Sequence, residues 1–492
     1  MDKKYRLLLT AGVLIVCIVC IALVAGHITE PDADLALTVP DGGYVQADIT
    51  ECNMMPSVQA FQWAMAIGAV LIVSLAWVLS AKKVDLPLAA FLITFCVGAI
   101  IVVCKPAGMY FGWDEETHAN YTAWAIWNDW DSFKESASSW IVWDVGYLPY
   151  IVGGIIGKLF GAGTILQGKL SMLFGVLAYA GMAYAAVRIT PKYKMTFLCA
   201  SALPICCFQA SCYTYDTMVI AAILVGMALL VRILCGEGHR EKEIMACAIV
   251  LTIFTLPKPV YSLCLLLLWM IPAKHFAGKR SMWLFRAFIL ILTCWSMLTL
   301  KLPGVYDNVS GGDARFSGTD SAAQIRFILS EPLAAIQIMG GYFIRKLWYL
   351  ETNAIAYIGR IGNDDVFSMI FLYLLLASGL CMYGEEKQMV LNAKRRTAFI
   401  GMNFVILLAL IVTQYIVSSE VGGKAVQGMQ PRYSIPIAIL YALALMPPEK
   451  LRNRLRSGSH ALAIVTTVLI SAADLYVILS MMAGNVLHIG WA

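Results

Sequence analysis

The hydrophobic positions of this chain fall in long unbroken runs rather than in the mixed faces of a soluble protein. Leu7–Ala25, Trp63–Ser80, Leu86–Cys104, Leu170–Val187, Met195–Cys212 and Thr217–Leu234 carry almost no charge. The same holds for Trp283–Leu300, Val366–Tyr383, Ala398–Val417, Pro431–Met446 and His460–Met482. Helices of this length match a hydrocarbon core of about 30 Å. Two shorter runs, Ile244–Leu256 and Val260–Ile271, read as a hairpin around the tip "PKP". The pattern predicts an all-α polytopic membrane protein of about thirteen spans.

The polar segments between the runs set a threading. "MDKKYR", "AKK", "RITPKYK", "CGEGHREKE", "AKHFAGKR", "EEKQMVLNAKRR" and "PPEKLRNRLR" hold most of the Lys and Arg. Placing them inside puts the N-terminus in the cytoplasm and the C-terminus outside. The stretch "WDVGYLPYIVGGIIGKLFGAG" would break this rule if it spanned. Its Pro, glycines and Lys158 suit an interfacial or re-entrant helix, so it is kept on the outer face. "MDKKYR" with Leu7–Ala25 reads as an uncleaved first helix, with "LVAG" as an alternative cleavage site.

Composition agrees with the pattern. Of 492 residues 60% are hydrophobic and 14% charged, against about 25% charged in soluble proteins, and mean hydropathy is +0.75. The net charge of +5 is spread over short loops, and no basic block suggests nucleic acid. The 14 cysteines have no regular spacing and mostly lie inside apolar runs, where they read as small buried hydrophobes.

Candidate chemistry gathers at the expected outer ends of the spans. In "FGWDEETHANYTAWAIWNDW", taken as a helix at 100° per residue, Asp114, Glu115, His118, Thr122 and Asp129 share one face. Trp124, Trp127 and Trp130 lie on the other, suited to the headgroup region. The alternative is a solvated surface helix with an aromatic anchor. Asp216 opens one span, Lys258 sits at the "PKP" tip, and Arg432 and Tyr433 open another. Each alone reads as an interfacial snorkelling group. Together they outline a cleft in which Lys258 and Arg432 hold a lipid phosphate and a carboxylate deprotonates an acceptor hydroxyl. Asp474 lies inside the last run, where a charge costs about 2.5–3.5 kcal/mol on insertion scales, so it is paired, neutral or facing a polar cavity. Residues 301–365 divide into a Gly/Ser/Asp loop and amphipathic helices interrupted at Pro332 and Gly340–Gly341. Asn120–Tyr121–Thr122 and Asn308–Val309–Ser310 fit glycosylation sequons.

These motifs carry a resemblance. "DEETH" beside a span resembles the "D-E-x-x-H" signature of a bacterial multi-pass membrane family of unknown function related to the GT-C glycosyltransferases. "YLPYIVGGIIGKLFGAG" is similar to the "P-P-L-Y-Y…K-L-F-G" stretch of polyprenyl-phosphate-dependent members such as aminoarabinose and mannosyl transferases, and "ILSEP…YIGRIGNDD" and "QPRYSIP" resemble the family's later outer segment and its "Q-G-R-Y" motif, over roughly residues 86–482. The resemblance implies a GT-C fold that passes a sugar from a polyprenyl-phosphate carrier to a glycan or lipid acceptor on the outer face of the bacterial cytoplasmic membrane. It assigns Asp114 as base or stabiliser, with Glu115 and His118 assisting and Arg432 on the phosphate. No cofactor is required; a divalent metal on Asp114, Glu115 and His118 is compatible, but a single-phosphate donor does not demand one. The chain departs from the pattern at Gly112 and Trp113, where prolines usually stand, and in its three spans before the motif. The expected organisation is then residues 1–85 as an accessory membrane region, 86–300 as the core with the acidic motif, 301–365 as the outer amphipathic segment and 366–492 as the C-terminal spans. The rival functional classes are a transporter or flippase for a lipid-linked glycan, and a non-catalytic scaffold.

Overall fold

The computed structural model describes residues 58–105, 115–118, 144–298, 316–352, 355–358, 362–363, 365–385 and 391–487. The helices, in chain order, are α1 (Val58–Ser80), α2 (Leu86–Cys104), α3 (Glu115–His118), α4 (Leu148–Leu159), α5 (Thr164–Ile189), α6 (Lys194–Ser201), α7 (Pro204–Ala210) and α8 (Asp216–Cys235). They continue as α9 (Glu241–Ile253), α10 (Lys279–Leu298), α11 (Ser321–Ser330), α12 (Pro332–Thr352), α13 (Asp365–Ser378) and α14 (Ala393–Val417). The last are α15 (Ala438–Ala444), α16 (Glu449–Arg454) and α17 (Ser459–Leu487). Among the described residues five 3₁₀ segments join them, two of which matter below: Pro259–Met270 and Pro431–Ile437. The extended structure described is one antiparallel pairing of Tyr357–Ile358 with Gly362–Asn363.

Among the described residues seven helices are long and apolar enough to cross a membrane: α1, α2, α5, α8, α10, α14 and α17. The bent pair α11–α12 would make eight. Against an expectation of about thirteen, the described residues thus supply seven, or eight with the bent pair. The first expected span, Leu7–Ala25, lies outside the described residues. The other missing ones are broken or short. Met195–Cys212 divides into α6 and α7, because Pro204 has no N–H to continue the ladder and starts a new helix. Pro431–Met446 divides likewise into a 3₁₀ turn containing Pro436 and the seven-residue α15. The "PKP" hairpin is α9 followed by a 12-residue 3₁₀ helix, long for a form that seldom exceeds 3–4 residues. The Val366–Tyr383 run yields the 14-residue α13.

The segment expected to be interfacial is α4, 12 residues and roughly 18 Å long, too short to span. It packs along α5. In the 301–365 region the break falls at Glu331–Pro332, where α11 and α12 meet at 109°. Gly340–Gly341, expected to interrupt the helix, lies inside α12.

Burial ranks the spans. α2 is apolar all round and 89% of its span is buried; for α8 the figure is 83%. These two form the centre, as helices without a polar face must. α10 is only 22% buried, and α1 and α14 33%. Their exposed large side chains, such as Trp283, Leu284 and Ile291 on α10 and Ile72 and Val73 on α1, are a lipid-facing rim. α6 from Met195 onward and all of α7 are buried, so the break in this span is surrounded by protein, where irregular backbone at membrane depth is tolerated.

Candidate functional site

The C-terminal end of α2, the N-terminal end of α8, the turn before the Pro259–Met270 helix and the start of Pro431–Ile437 meet at one end of the bundle. Local chemistry explains each position. Lys105 is the C-cap of α2, in extended backbone after the last apolar turn. Asp216 stands in the first turn of α8, where a carboxylate complements the helix dipole. Lys258 precedes Pro259, which begins the 3₁₀ helix, and Arg432 follows Pro431 in the same way.

An ion pair is the centre of the cluster. Lys258 Nζ lies 2.5 Å from Asp216 Oδ1, with both side chains mostly buried. The ammonium is held between two rings, 4.4 Å from the centroid of Tyr433 and 5.3 Å from that of Tyr215. The guanidinium of Arg432 lies 5.7 Å from the centroid of Tyr433, so that one ring faces both cations. Arg432 and His118 are also within electrostatic reach of Asp216. Tyr261 fixes the Arg432–Tyr433 turn by donating its hydroxyl to the Tyr433 carbonyl at 2.6 Å.

A His–Tyr group adjoins the pair. His118 Nδ1 and the Tyr147 hydroxyl share a short hydrogen bond. The His118 ring meets Tyr215 edge-on at 5.0 Å, and Tyr147 meets the same ring at 5.8 Å. Gly146 permits this approach, since a Cβ there would stand 2.4 Å from Tyr215 Cβ. His118, Lys258 and Tyr433 remain partly exposed, so the cluster opens to the surface.

Glu115 is placed differently. It is 1% exposed and forms an ion pair with the equally buried Lys105. Its Oε1 also accepts the Tyr213 N–H at 3.0 Å. Lys105 Nζ further donates to the Ser211 carbonyl at 3.0 Å. The pair ties α3 to the end of α2 and to the α7–α8 turn. Asp114 lies outside the described residues, as do Thr122, Asp129, the three tryptophans and both sequons. Asp474 stands apart from the cluster on α17, fully buried, with neither carboxylate oxygen hydrogen-bonded to a described group. Among the described residues no three His, Cys, Asp or Glu side chains converge to hold a metal.

Of the sequence candidates, the fold therefore gathers His118, Asp216, Lys258, Arg432 and Tyr433. It puts Glu115 beside them in a structural pair and Asp474 elsewhere. Lys105, Tyr147, Tyr215 and Tyr261 were missed. Lys105 opens the acidic stretch and Tyr147 sits in "GYLPY", but tyrosines near span ends are common anchors and carry no distinguishing signal alone.

A family profile described as "Predicted membrane protein (DUF2142)" matches residues 130–441, more than half of the chain. The chain belongs to this family. It is thus a multi-pass membrane protein by affiliation as well as by its helices. No curated protein matches the chain, and no solved structure does. The matched region holds Tyr147, Tyr215, Asp216, Lys258, Tyr261, Arg432 and Tyr433, whereas Glu115 and His118 precede it and Asp474 follows it.

Chemically the cluster can do two things. It sets two cations, Lys258 and Arg432, around one carboxylate, and an ammonium beside a guanidinium is chemistry that binds an anion such as a phosphate. A histidine hydrogen-bonded to a tyrosine can take and pass a proton.

Proposed function

We propose that this protein is a GT-C-type glycosyltransferase working at the outer face of a bacterial cytoplasmic membrane, with its N-terminus in the cytoplasm and its C-terminus outside. It moves a sugar from a polyprenyl-phosphate donor to a glycan or lipid acceptor in surface polysaccharide or cell-wall assembly. The observation that carries this reading is the convergence of Lys258, Arg432 and His118 on Asp216 at one end of an otherwise apolar bundle.

In the step envisaged, the acceptor hydroxyl oxygen attacks the anomeric carbon and the bond from that carbon to the phosphate oxygen breaks. The polyprenyl phosphate leaves with the electron pair, its charge met by Lys258 and Arg432. The acceptor proton passes to a base. Asp114 is the candidate for that role, and the His118–Tyr147 pair is the second group able to accept a proton. Asp216 holds Lys258 in place, and Glu115 positions α3 through Lys105. A divalent ion is not needed for a donor of this charge, although Asp114, Glu115 and His118 have the donor atoms for one.

Turnover of a short-chain polyprenyl-phosphate sugar by purified protein tests the assignment. Arg432→Lys keeps the charge but loses the bidentate fork, and should cost roughly 10–100-fold in kcat/KM. Asp114→Asn should abolish turnover without changing thermal stability. No turnover by the wild type would remove the transferase reading; full activity in both variants would remove the roles given to Asp114 and Arg432. A transporter for a lipid-linked glycan is the second reading, favoured by one observation, the buried Asp474 carboxylate inside α17, which has no hydrogen bond among the described residues. In that case Asp474→Asn, not Asp114→Asn, stops the protein, and the readout is movement of the glycan in vesicles without transfer.

A further inference from the structure

α8 has Asp216 at one end. Its other end, 20 residues or roughly 30 Å away, borders a separate cleft of about 270 Å³. The last turns of α5 and α8, the first turn of α6, Arg240 and Gly384 form its walls. Among the described residues four cations line it, Arg188, Lys194, Arg232 and Arg240, and no acidic residue does.

These cations are arranged by the fold. Arg188 donates to the Tyr184 hydroxyl at 2.8 Å. Lys194 donates to the Val187 carbonyl at 3.2 Å. Arg232 and Arg240 share a single carboxylate, that of Glu243, at 3.0 and 2.6 Å. Arg240 lies flat against Gly236, where a Cβ would be 1.8 Å from its Nε. That Nε is buried without a hydrogen-bond partner among the described residues. Cations at helix C-termini also balance the dipole and orient a chain in its membrane. Neither duty requires four of them around one concavity.

We propose that this cleft is a second, phosphate-binding site, distinct from the cluster at the opposite end and independent of the transferase reading. Guanidinium groups match phosphate oxygens in pairs, and three of the four cations are arginines. The volume lies just under the 300–1,000 Å³ or so of drug-sized pockets, which suits a phosphate-bearing head group rather than a whole lipid or a large nucleotide. Two sources can present that chemistry: an anionic lipid of the adjacent leaflet, and a soluble phosphate compound.

Binding to purified protein in neutral detergent separates them. The probes are inorganic pyrophosphate and phosphatidic acid in mixed micelles, with phosphatidylcholine as the zwitterionic reference, and the readout is thermal stabilisation against probe concentration. Arg188→Gln/Arg232→Gln removes two lining cations. Lys82→Gln/Lys83→Gln removes two exposed charges outside the lining and controls for general electrostatics. The expected result is saturable stabilisation that weakens at least tenfold in the arginine variant and is unchanged in the lysine variant. Response to phosphatidic acid alone assigns the site to lipid, response to pyrophosphate alone to a soluble ligand, and competition between them to a shared phosphate pocket. No saturable response of the wild type to either probe, or equal losses in both variants, would overturn the site.

Discussion

His275 shows how a single buried group couples stability to pH. It lies in the short turn between the Pro259–Met270 helix and α10, fully buried, with Nδ1 2.9 Å from the Gly238 carbonyl. Its Nε2 has no hydrogen-bond partner among the described residues. Burial lowers its pKa below the ordinary 6.5, nearby Lys274, Arg240 and Arg395 lower it further, and the Gly238 contact only partly opposes them. The unfolded chain therefore binds the proton first as pH falls. Stability contributed by neutral His275 is complete above pH 6.5 and is lost on acidification through that value towards the lower folded-state pKa. Unfolding midpoints between pH 7.5 and 5 should fall for the wild type and less steeply for His275→Asn. Parallel profiles would show that other groups set the pH dependence. The candidate-site residues illustrate legibility at the same scale. Asp216, Lys258 and Arg432 were readable because charges flanking apolar runs are few. Their aromatic partners were not, because Tyr215 and Tyr433 differ from other tyrosines only in what the fold puts beside them.

At the level of elements, close helix contact in this bundle depends on small residues. A Cβ on Gly153 of α4 would stand 2.6 Å from the Leu170 carbonyl oxygen and 2.8 Å from Ser171 Cα on α5. These are backbone atoms and cannot rotate away. Gly153→Ala should therefore destabilise by about 1–3 kcal/mol, as overpacking does. Gly181, also helical, has nothing within 4 Å of an added Cβ. Gly181→Ala should be neutral or gain up to about 1 kcal/mol of helix propensity. Unfolding in mixed detergent micelles checks both, and equal effects would mean that the α4–α5 approach is not tight. Helix identity was legible here where runs were long: the seven full-length apolar helices among the described residues coincide with expected spans to within six residues at either end. It failed at Met195–Cys212 and Pro431–Met446. Hydropathy counts apolar residues and is insensitive to a change of axis, whereas Pro204 and Pro436 alter the backbone without altering the apolar count.

The molecule as a whole is tied together at the end remote from Asp216 by Arg452. Its side chain is 1% exposed. Nη2 donates to both oxygens of buried Glu385 at 2.8 Å, and Nε to the Gly379 carbonyl at 2.7 Å. Its guanidinium lies 4.8 Å from the centroid of the Tyr193 ring. Glu385 in turn accepts the N–H of Tyr193 at 2.7 Å, in the segment between α5 and α6, where Tyr193 takes a left-handed backbone at φ 60°. One group of bonds thus joins the α5–α6, α13–α14 and α15–α17 connections. Arg452→Ala leaves Glu385 buried and unpaired and should cost about 3–5 kcal/mol. Arg452→Met with Glu385→Met removes both charges and should restore much of that loss, as a double-mutant cycle by thermal unfolding would show. A double variant no more stable than Arg452→Ala would mean that the Gly379 and Tyr193 contacts, rather than the charge pair, hold the connections.

The class of this protein, its long spans and the placement of its few charges at span ends are legible in the chain alone. Those follow from local quantities: run length against bilayer thickness, and the cost of charge in hydrocarbon. Which of those charges meet is set by packing. Asp216, Lys258 and Arg432 are far apart in sequence and adjacent in space because three separate elements end at the same level of the bundle. The tertiary structure also turned Glu115 towards Lys105 and divided expected spans at prolines, since pairing depends on packing among elements that no single run encodes.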